Sequence, residues 1–579
     1  MNRQIGWGLF VAAGSLLTAG FIGLRPDAPA QGSAGKAILV LSTDCPVAQK
    51  YTPRINALHE KYSAKGFAFE AIFPNDLETR SGIQKYFQER SYQFPFSIDF
   101  GAERAKKLGV TVLPAILIYD SKGNLAYQGA IDDNKDVTLV KEHFAVDAFD
   151  AVLSGKKAAK TRTECFGCVL MPGEAPPKEG EATYAEHVAQ IFNDHCVTCH
   201  RPGEVAPFSM TDYANAKKWA PMIEQAATAR RMPPWKAVHG FGEFKDENRL
   251  TEVEIETIRR WVKAGAPRGN SEKEPVPPVF NPGWRLGEPD LVLQPASEFK
   301  LEAEGDDVYR HFVLKTDFKE TRYVKALDVK PGNKQVVHHV IAFIDERGVS
   351  HAKDGQGGQP GYNTNGGGPG FIPNGSFGGW APGVQVASTP SGTAFELKPG
   401  ATIVLQVHYH KSGKPETDLT KIGLYFAKEK IERTMEIAWM ANPMFRIPAG
   451  AEAHPVRLNY PIPADVTLYS VMPHMHLLGR QMKATAVFPD GTERPLIFVD
   501  DWDFNWQLVY ALKEPMKLPK GSRVKIEAVY DNSTKNPYNP HNPPKAITWG
   551  EQTTDEMFLL VVAYTLDNPS TSRAFGGGF

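Results

Sequence analysis

The sequence predicts several domains in series: an α/β domain, a small all-α domain and two all-β antiparallel sandwiches. Three observations carry that reading. At 579 residues the chain is too long for one hydrophobic core. Strand-like and helix-like runs alternate over residues 36–155 and end in a hairpin pattern. From about Trp284 the texture changes to short alternating runs and turn dipeptides, "VVHHVIAFID", "ATIVLQVHYH" and "SRVKIEAVY" among them, with no long helix.

Composition and the N-terminus narrow the setting. Charged residues make up 23% of the chain, the formal net charge is −1 and no basic run of useful length occurs, which excludes a nucleic-acid partner. Arg3, an apolar run from about Ile5 to Leu24 and small residues at Ala28–Ala30 read as an export signal over residues 1–35. The run exceeds the usual signal core of about 7–15 residues, so an uncleaved membrane anchor is the alternative. Either way the remainder is expected outside the cytoplasm, in the periplasm or its equivalent. Only five cysteines occur and none lies beyond residue 199, so the last two-thirds of the chain is no disulfide scaffold.

In the first segment "KAILVLST" reads as a buried strand running into Asp44-Cys45-Pro46 and a helix from Val47 to about Ser63. "GFAFEAIF" is a second strand, "ETRSGIQKYFQER" a helix, and "LPAILIYDSKGNLAYQGAI" a hairpin turning at Lys122-Gly123-Asn124. With Cys45 at a helix N-terminus and Pro114 in "TVLP", residues 36–155 resemble the thioredoxin and peroxiredoxin group, which implies a cis-proline at Pro114. The chemistry departs from both. Ala48 stands where a thioredoxin has its second cysteine; Ser42 fills the peroxiredoxin position three residues before the reactive one, without the usual preceding proline. Cys45 is expected to have thiolate character from the helix N-terminus, the alternative being a cysteine that only packs. In the linker, residues 156–180, Cys165 and Cys168 are redox candidates: a resolving pair, a local disulfide, or thiols without a partner.

Residues 181–272 contain Cys196-Val-Thr-Cys199-His200, the pattern for covalent haem attachment through two thioethers with His200 as axial ligand. An amphipathic helix "TYAEHVAQIFNDH" precedes it, and "TEVEIETIRRWVKAGAP" places Ile255, Ile258 and Trp261 on one helix face. The frame resembles small class-I cytochromes c. Met232, ahead of two prolines that hold its loop rigid, leads as sixth ligand over His239, Met210 and Met222.

The β-rich remainder divides into 285–432 and 433–572. Six of the sixteen histidines fall in three strand-like motifs, His338-His339, His408-Tyr-His410 and His474-Met-His476. Imidazole-rich sites without thiolates suit copper or zinc, and a thioether such as Met557 tilts the choice to copper. His474 and His476, at i and i+2, leave one face of a strand, whereas adjacent His338 and His339 need a bulge or a strong twist to aim at one ion. The glycine-rich stretch "DGQGGQPGYNTNGGGPGFIPNGSFGG" reads as a long surface loop.

"VVHHVIAF", "VLQVHYH", "PHMHLLGR" and "TTDEMFLL", in that order, resemble the copper type II ascorbate-dependent monooxygenases. The resemblance implies two coppers: an electron-transferring ion on His338, His339 and His408, and an oxygen-activating ion on His474, His476 and Met557. His410 has no counterpart. The peptide-amidating members carry an arginine and a tyrosine that clamp a substrate carboxylate; Met472 and Val561 occupy those positions, so a glycine-extended peptide is not expected. Animal members also use disulfides that this segment lacks.

The expected activity is an exported monooxygenase, R–H + O2 + 2e⁻ + 2H⁺ → R–OH + H2O, acting on a small organic substrate. Electrons reach the first copper through the attached haem c from a periplasmic donor, with or without ascorbate. The rivals are a non-enzymatic copper or redox sensor and a thiol peroxidase with metal-binding appendages.

Overall fold

Two faces of one sheet organise the first segment of the computed structural model, which describes residues 33–75, 78–204, 206–281, 283–364, 368–373, 375–381, 386–550 and 552–568. Residues 1–32 of the expected signal or anchor lie outside these. Among the described residues no helix is long and apolar enough to cross a membrane. One compact unit runs to Pro177 and includes Thr251–Glu256; the other comprises Lys178–Leu250 and the chain from Thr257.

The first unit runs β1 (Gly35–Val40), α1 (Pro46–Lys50), α2 (Thr52–Ser63), β2 (Phe67–Phe73), α3 (Arg80–Glu89), β3 (Phe96–Ile98), α4 (Glu103–Lys107), β4 (Val112–Leu113), β5 (Ala115–Asp120), β6 (Leu125–Gly129), α5 (Phe144–Leu153) and β7 (Cys168–Val169). The sheet order is β3-β2-β1-β5-β6, parallel through β3, β2 and β1 and antiparallel beyond. Alternate residues of β1 feed opposite cores: Ala37 and Leu39 pack with Tyr62 and Phe149, Ile38 and Val40 with Val110 and Leu113. The single helix expected from Val47 is two, broken at Tyr51, because Pro53 lacks the N–H that a continuous helix needs.

In the second unit a turn of π-helix, Tyr184–Val188, leads into α6 (Ala189–His195), followed by α7 (Tyr213–Thr228) and, from Thr257 on, by α8 (Glu252–Lys263). Trp261 is fully buried against Phe192 and Tyr184, as the amphipathic pattern requires. The chain between α7 and α8 does not stay with these helices. Ala237 bridges Val499, Phe244 bridges Leu512, and both side chains enter the core of the last β region.

The β-rich part is built on one shared sheet. Eight strands run in the order Tyr510–Leu518, Val466–His474, Leu559–Leu566, Arg433–Ala441, Thr393–Leu397, Arg322–Lys330, Lys421–Phe426 and Leu291–Leu293. A five-stranded sheet covers one half and a four-stranded sheet the other, each with its own core. The two expected sandwiches are thus joined by the parallel pairing of Thr393 with Arg433. Part of the glycine-rich stretch is strand rather than loop: Tyr362–Asn363 and Gly375–Trp380 edge the five-stranded sheet. Buried Arg310 organises it, donating to the carbonyls of Gln356, Gln359, Pro360 and Gly361 and to Asn363 Oδ1 at 2.8–3.1 Å. Gly361, at φ +81°, lies so close that a Cβ would stand 2.3 Å from the His311 carbonyl oxygen. A guanidinium does here what a disulfide would do elsewhere.

Candidate metal centres

Two neighbouring strands build the first cluster. Val337–Asp345 and Thr402–Tyr409 pair antiparallel with His339 opposite His408, and the register slips between Val337 and His339. That bulge turns His338 to the side of its neighbour. The Nδ1 atoms of His338, His339 and His408 lie 3.1–3.4 Å from one another. Nitrogens about 2.0–2.1 Å from one ion at tetrahedral angles stand roughly 3.3 Å apart, so the three match a metal's demand. Burial drives His338 down to about 3 and His339 well below the ordinary imidazole range, keeping the nitrogens neutral.

Asp307 holds the far side of this cluster. Its carboxylate accepts from His408 Nε2 at 2.9 Å and from His410 Nδ1 at 2.8 Å. Burial pushes the Asp307 carboxyl up, and the two histidine hydrogen bonds overcome this to hold it well below the usual carboxylate range. With its Nε2 occupied, His408 turns Nδ1 inward. His410, just past the strand end, lies within the same group, ligand nitrogens of His338, His408 and His410 falling within 4.8 Å of one another.

The second cluster forms where a strand stops. Val466–His474 ends at His474, and His476 sits in the following turn rather than two places along one strand as the sequence suggests. The cause is Glu556, fully buried, whose carboxylate accepts from the backbone N–H groups of His476, Leu478 and Met557 at 2.8–3.1 Å. Burial pushes Glu556 up to about 8. The two rings still face one another, centroids 5.2 Å apart at 86°. His474 Nδ1 donates to Gln507 Oε1 and His476 Nδ1 to the Asp555 carbonyl, which leaves both Nε2 lone pairs free. Met557 is buried, its carbonyl accepting from Tyr530 at 2.8 Å, and two residues later Leu559 pairs with His474. Met472 pairs directly with Val561, and Val561 with Trp439, a row of apolar side chains one step below His474.

Cys196 and Cys199 form no disulfide, and His200 Nδ1 donates to the Phe208 carbonyl at 3.0 Å. Met210 is buried and donates its N–H to the His200 carbonyl at 2.9 Å. Met232 lies at the end of α7 with its N–H on the Ala226 carbonyl; Met222 and His239 are exposed. The loop after His200 reaches the first sandwich: Lys334 Nζ donates to the Gly203 carbonyl at 2.6 Å, four residues before His338.

In the first unit Cys45 is joined to Cys168 by a disulfide, Cα atoms 6.0 Å apart. Cys168 is brought there by the pairing of β7 with β4, beside a cis peptide at Leu113-Pro114. The local Cys165–Cys168 disulfide is not formed. Cys165 is a half-buried thiol that burial pushes up to about 11, lining a cavity of about 350 Å³ with Arg162 and Gln128. The turn before Cys45 is held by buried Glu78, which accepts from the N–H and hydroxyl of Thr43 at 2.8 Å.

Residues 448–574 match the family described as copper type II ascorbate-dependent monooxygenase, C-terminal domain. Residues 31–144 match the redoxin family. The monooxygenase domain therefore contains His474, His476 and Met557, and the redoxin domain contains Cys45, while Cys168 lies beyond it. Similar solved structures include a hypothetical protein from Sinorhizobium meliloti 1021 (26% identity over 24% of this chain and 81% of that one, TM-score 0.23). Others are an uncharacterized conserved protein from Geobacillus kaustophilus (25%, 24% and 78%, TM-score 0.23) and StoA from Bacillus subtilis (13%, 18% and 75%, TM-score 0.16). No curated protein matches the chain.

Asp307, Glu556, Gln507, Arg310 and Glu78 escape a reading of the sequence. Four of them are common polar residues in no motif, and Glu556, though inside "TTDEMFLL", is marked only by its burial and its backbone partners.

Proposed function

We propose that the chain is an exported copper monooxygenase that hydroxylates a C–H bond of a small apolar substrate, with electrons supplied through its own c-type haem. The observation that carries it is the convergence of the Nδ1 atoms of buried His408 and half-buried His338 and His339. His474, His476 and Met557 hold the second copper in the monooxygenase domain. Bound copper supplies one-electron exchange at the first site and oxygen activation at the second.

The chain's own groups set the terms of that chemistry. Asp307 and Gln507 fix which nitrogen each ring presents. The Met472–Val561–Trp439 row offers a substrate apolar surface and no carboxylate clamp. For haem, Cys196 and Cys199 are outside any disulfide and would form the thioether bonds, with His200, its Nδ1 on a backbone carbonyl, presenting Nε2. Met232, ahead of two prolines that hold its loop rigid, would supply the sixth ligand. The Lys334–Gly203 contact joins the haem motif to the strand bearing His338, which supports delivery of electrons to the first site. The Cys45–Cys168 disulfide supports thiol exchange by the redoxin domain as an accessory activity, with residues 1–35 directing export.

Met557→Ala tests the reading. The variant is expected to keep copper nearly at two per chain while oxygen-dependent hydroxylation collapses, and the copper–sulfur scattering of the reduced wild type disappears. Unchanged scattering and unchanged turnover would overturn the site. Haem that extracts fully into acid–acetone would overturn the cytochrome part alone.

A further inference from the structure

One aromatic ring stands between the two histidine clusters. Phe504 stacks on His338, centroids 5.7 Å apart and planes within 17°, and meets His476 edge-on at 5.7 Å and 85°. His338 belongs to the first cluster and His476 to the second, so a single side chain touches a ring of each. Both contacts are of the offset or T-shaped kind that aromatic rings prefer.

The loop carrying Phe504 is tied to the second cluster at both ends. Trp502 Nε1 donates to the His476 carbonyl at 3.0 Å, and Gln507 accepts from His474 while its Nε2 donates to the Phe504 carbonyl at 3.0 Å. Between them Asp503 turns the chain, accepting from Asn505 N–H at its carboxylate and from Trp506 N–H at its carbonyl, both at 3.0 Å. Moving the backbone of this loop would therefore disturb contacts to both histidines of the second cluster.

We infer that Phe504 is a positioning residue that couples the two clusters, fixing their separation and replacing water between them with one packed ring. The inference rests on the copper reading above. Tunnelling decays less steeply through packed protein than across a solvent gap, so the ring sets how fast charge passes between the sites. The step is balanced: one electron leaves the first site and one arrives at the second, and no bond is made or broken.

The test uses the full chain with Phe504→Leu, Phe504→Ala and Phe504→Tyr. In metal-free protein, NMR should show the His338 and His476 ring protons losing an aromatic ring-current shift in the Leu variant and keeping it in the Tyr variant. With Cu(II) loaded, pulsed EPR should give one narrow inter-copper distance for wild type and Tyr, and a broad distribution for Ala and Leu. After flash one-electron reduction, re-equilibration between sites should slow severalfold in Ala and Leu. Leu retains apolar bulk, so the comparison survives if Ala does not fold. A wild type that takes up no copper would sink the copper reading and this inference together. Two coppers with unchanged distances and unchanged rates in Leu would show that Phe504 only packs, leaving the copper reading intact.

Discussion

The two histidine clusters solve one problem, aiming imidazoles at a point, by different means. The first is written into strand register: His339 faces His408 across a ladder, a bulge brings His338 round, and the inward nitrogens are all Nδ1. The second hangs from side chains of loops. Its strand stops at His474, Glu556 captures the turn that carries His476, and Gln507 orients His474 so that the free nitrogens are Nε2. A register-built cluster is rigid because every residue of two strands must shift to change it. A loop-built one depends on a few buried polar groups, and is the easier to break or move.

That contrast predicts where mutation bites hardest. Glu556→Ala strands three buried backbone N–H groups, each worth about 1–3 kcal/mol when unsatisfied. Stability measured in urea should fall by roughly 3 kcal/mol or more, and copper should drop from two per chain to one. A stable variant that keeps both ions would erase the distinction between the clusters.

Arg310→Ala is the matching attack on the first sandwich. It removes a buried guanidinium with five acceptors, and should cost about 2–4 kcal/mol while the second cluster keeps its metal. Hydrogen exchange should locate the loosening around residues 356–363. Loosening confined instead to the monooxygenase domain would contradict the division.

Acid should strain both clusters together. Burial lowers His338 to about 3, His474 to about 4 and His476 to about 3, from an ordinary 6.5. Between those values the unfolded chain binds protons that the folded chain refuses. Metal-free protein should therefore lose stability as pH falls from 6.5 toward 4, and regain it on raising the pH. His338→Gln and His474→Gln should each flatten this slope in urea titrations; an unaltered slope would mean the histidines are solvated.

Asp307→Asn is the mildest probe, since it preserves shape but removes the charge behind His408 and His410. Copper affinity at the first cluster should weaken about tenfold in chelator competition, with no change at the second. Equal weakening at both would imply a general loss of fold.

The motif-bearing residues were open to inspection because their spacing is local. Alternation in "VVHHVIAF" sets which face of the strand is buried and calls for a bulge or a strong twist if His338 and His339 are to converge, and the structure has a register slip there. For His474 and His476 the i, i+2 rule places both on one strand, whereas the strand ends at His474 and the rings face one another across its end. Cys45 could not be matched to Cys168 rather than Cys165, because a separation of 123 residues is closed only by the pairing of β7 with β4. The excursion of residues 235–245 onto the last sandwich was equally hidden, since Trp235 and Phe244 look like any apolar residues of a loop.

The sequence by itself determined the order of element types, the apolar faces, the Cys-x-x-Cys-His motif and the histidine-bearing motifs, because these follow from dihedral preference and short-range periodicity. Tertiary structure alone decided that one eight-stranded sheet joins the sandwiches, that Asp307, Gln507 and Glu556 aim the rings, and that Phe504 lies between them. Those are contacts between residues distant in the chain, whose energies come from burial and hydrogen-bond satisfaction and leave no periodic trace along it.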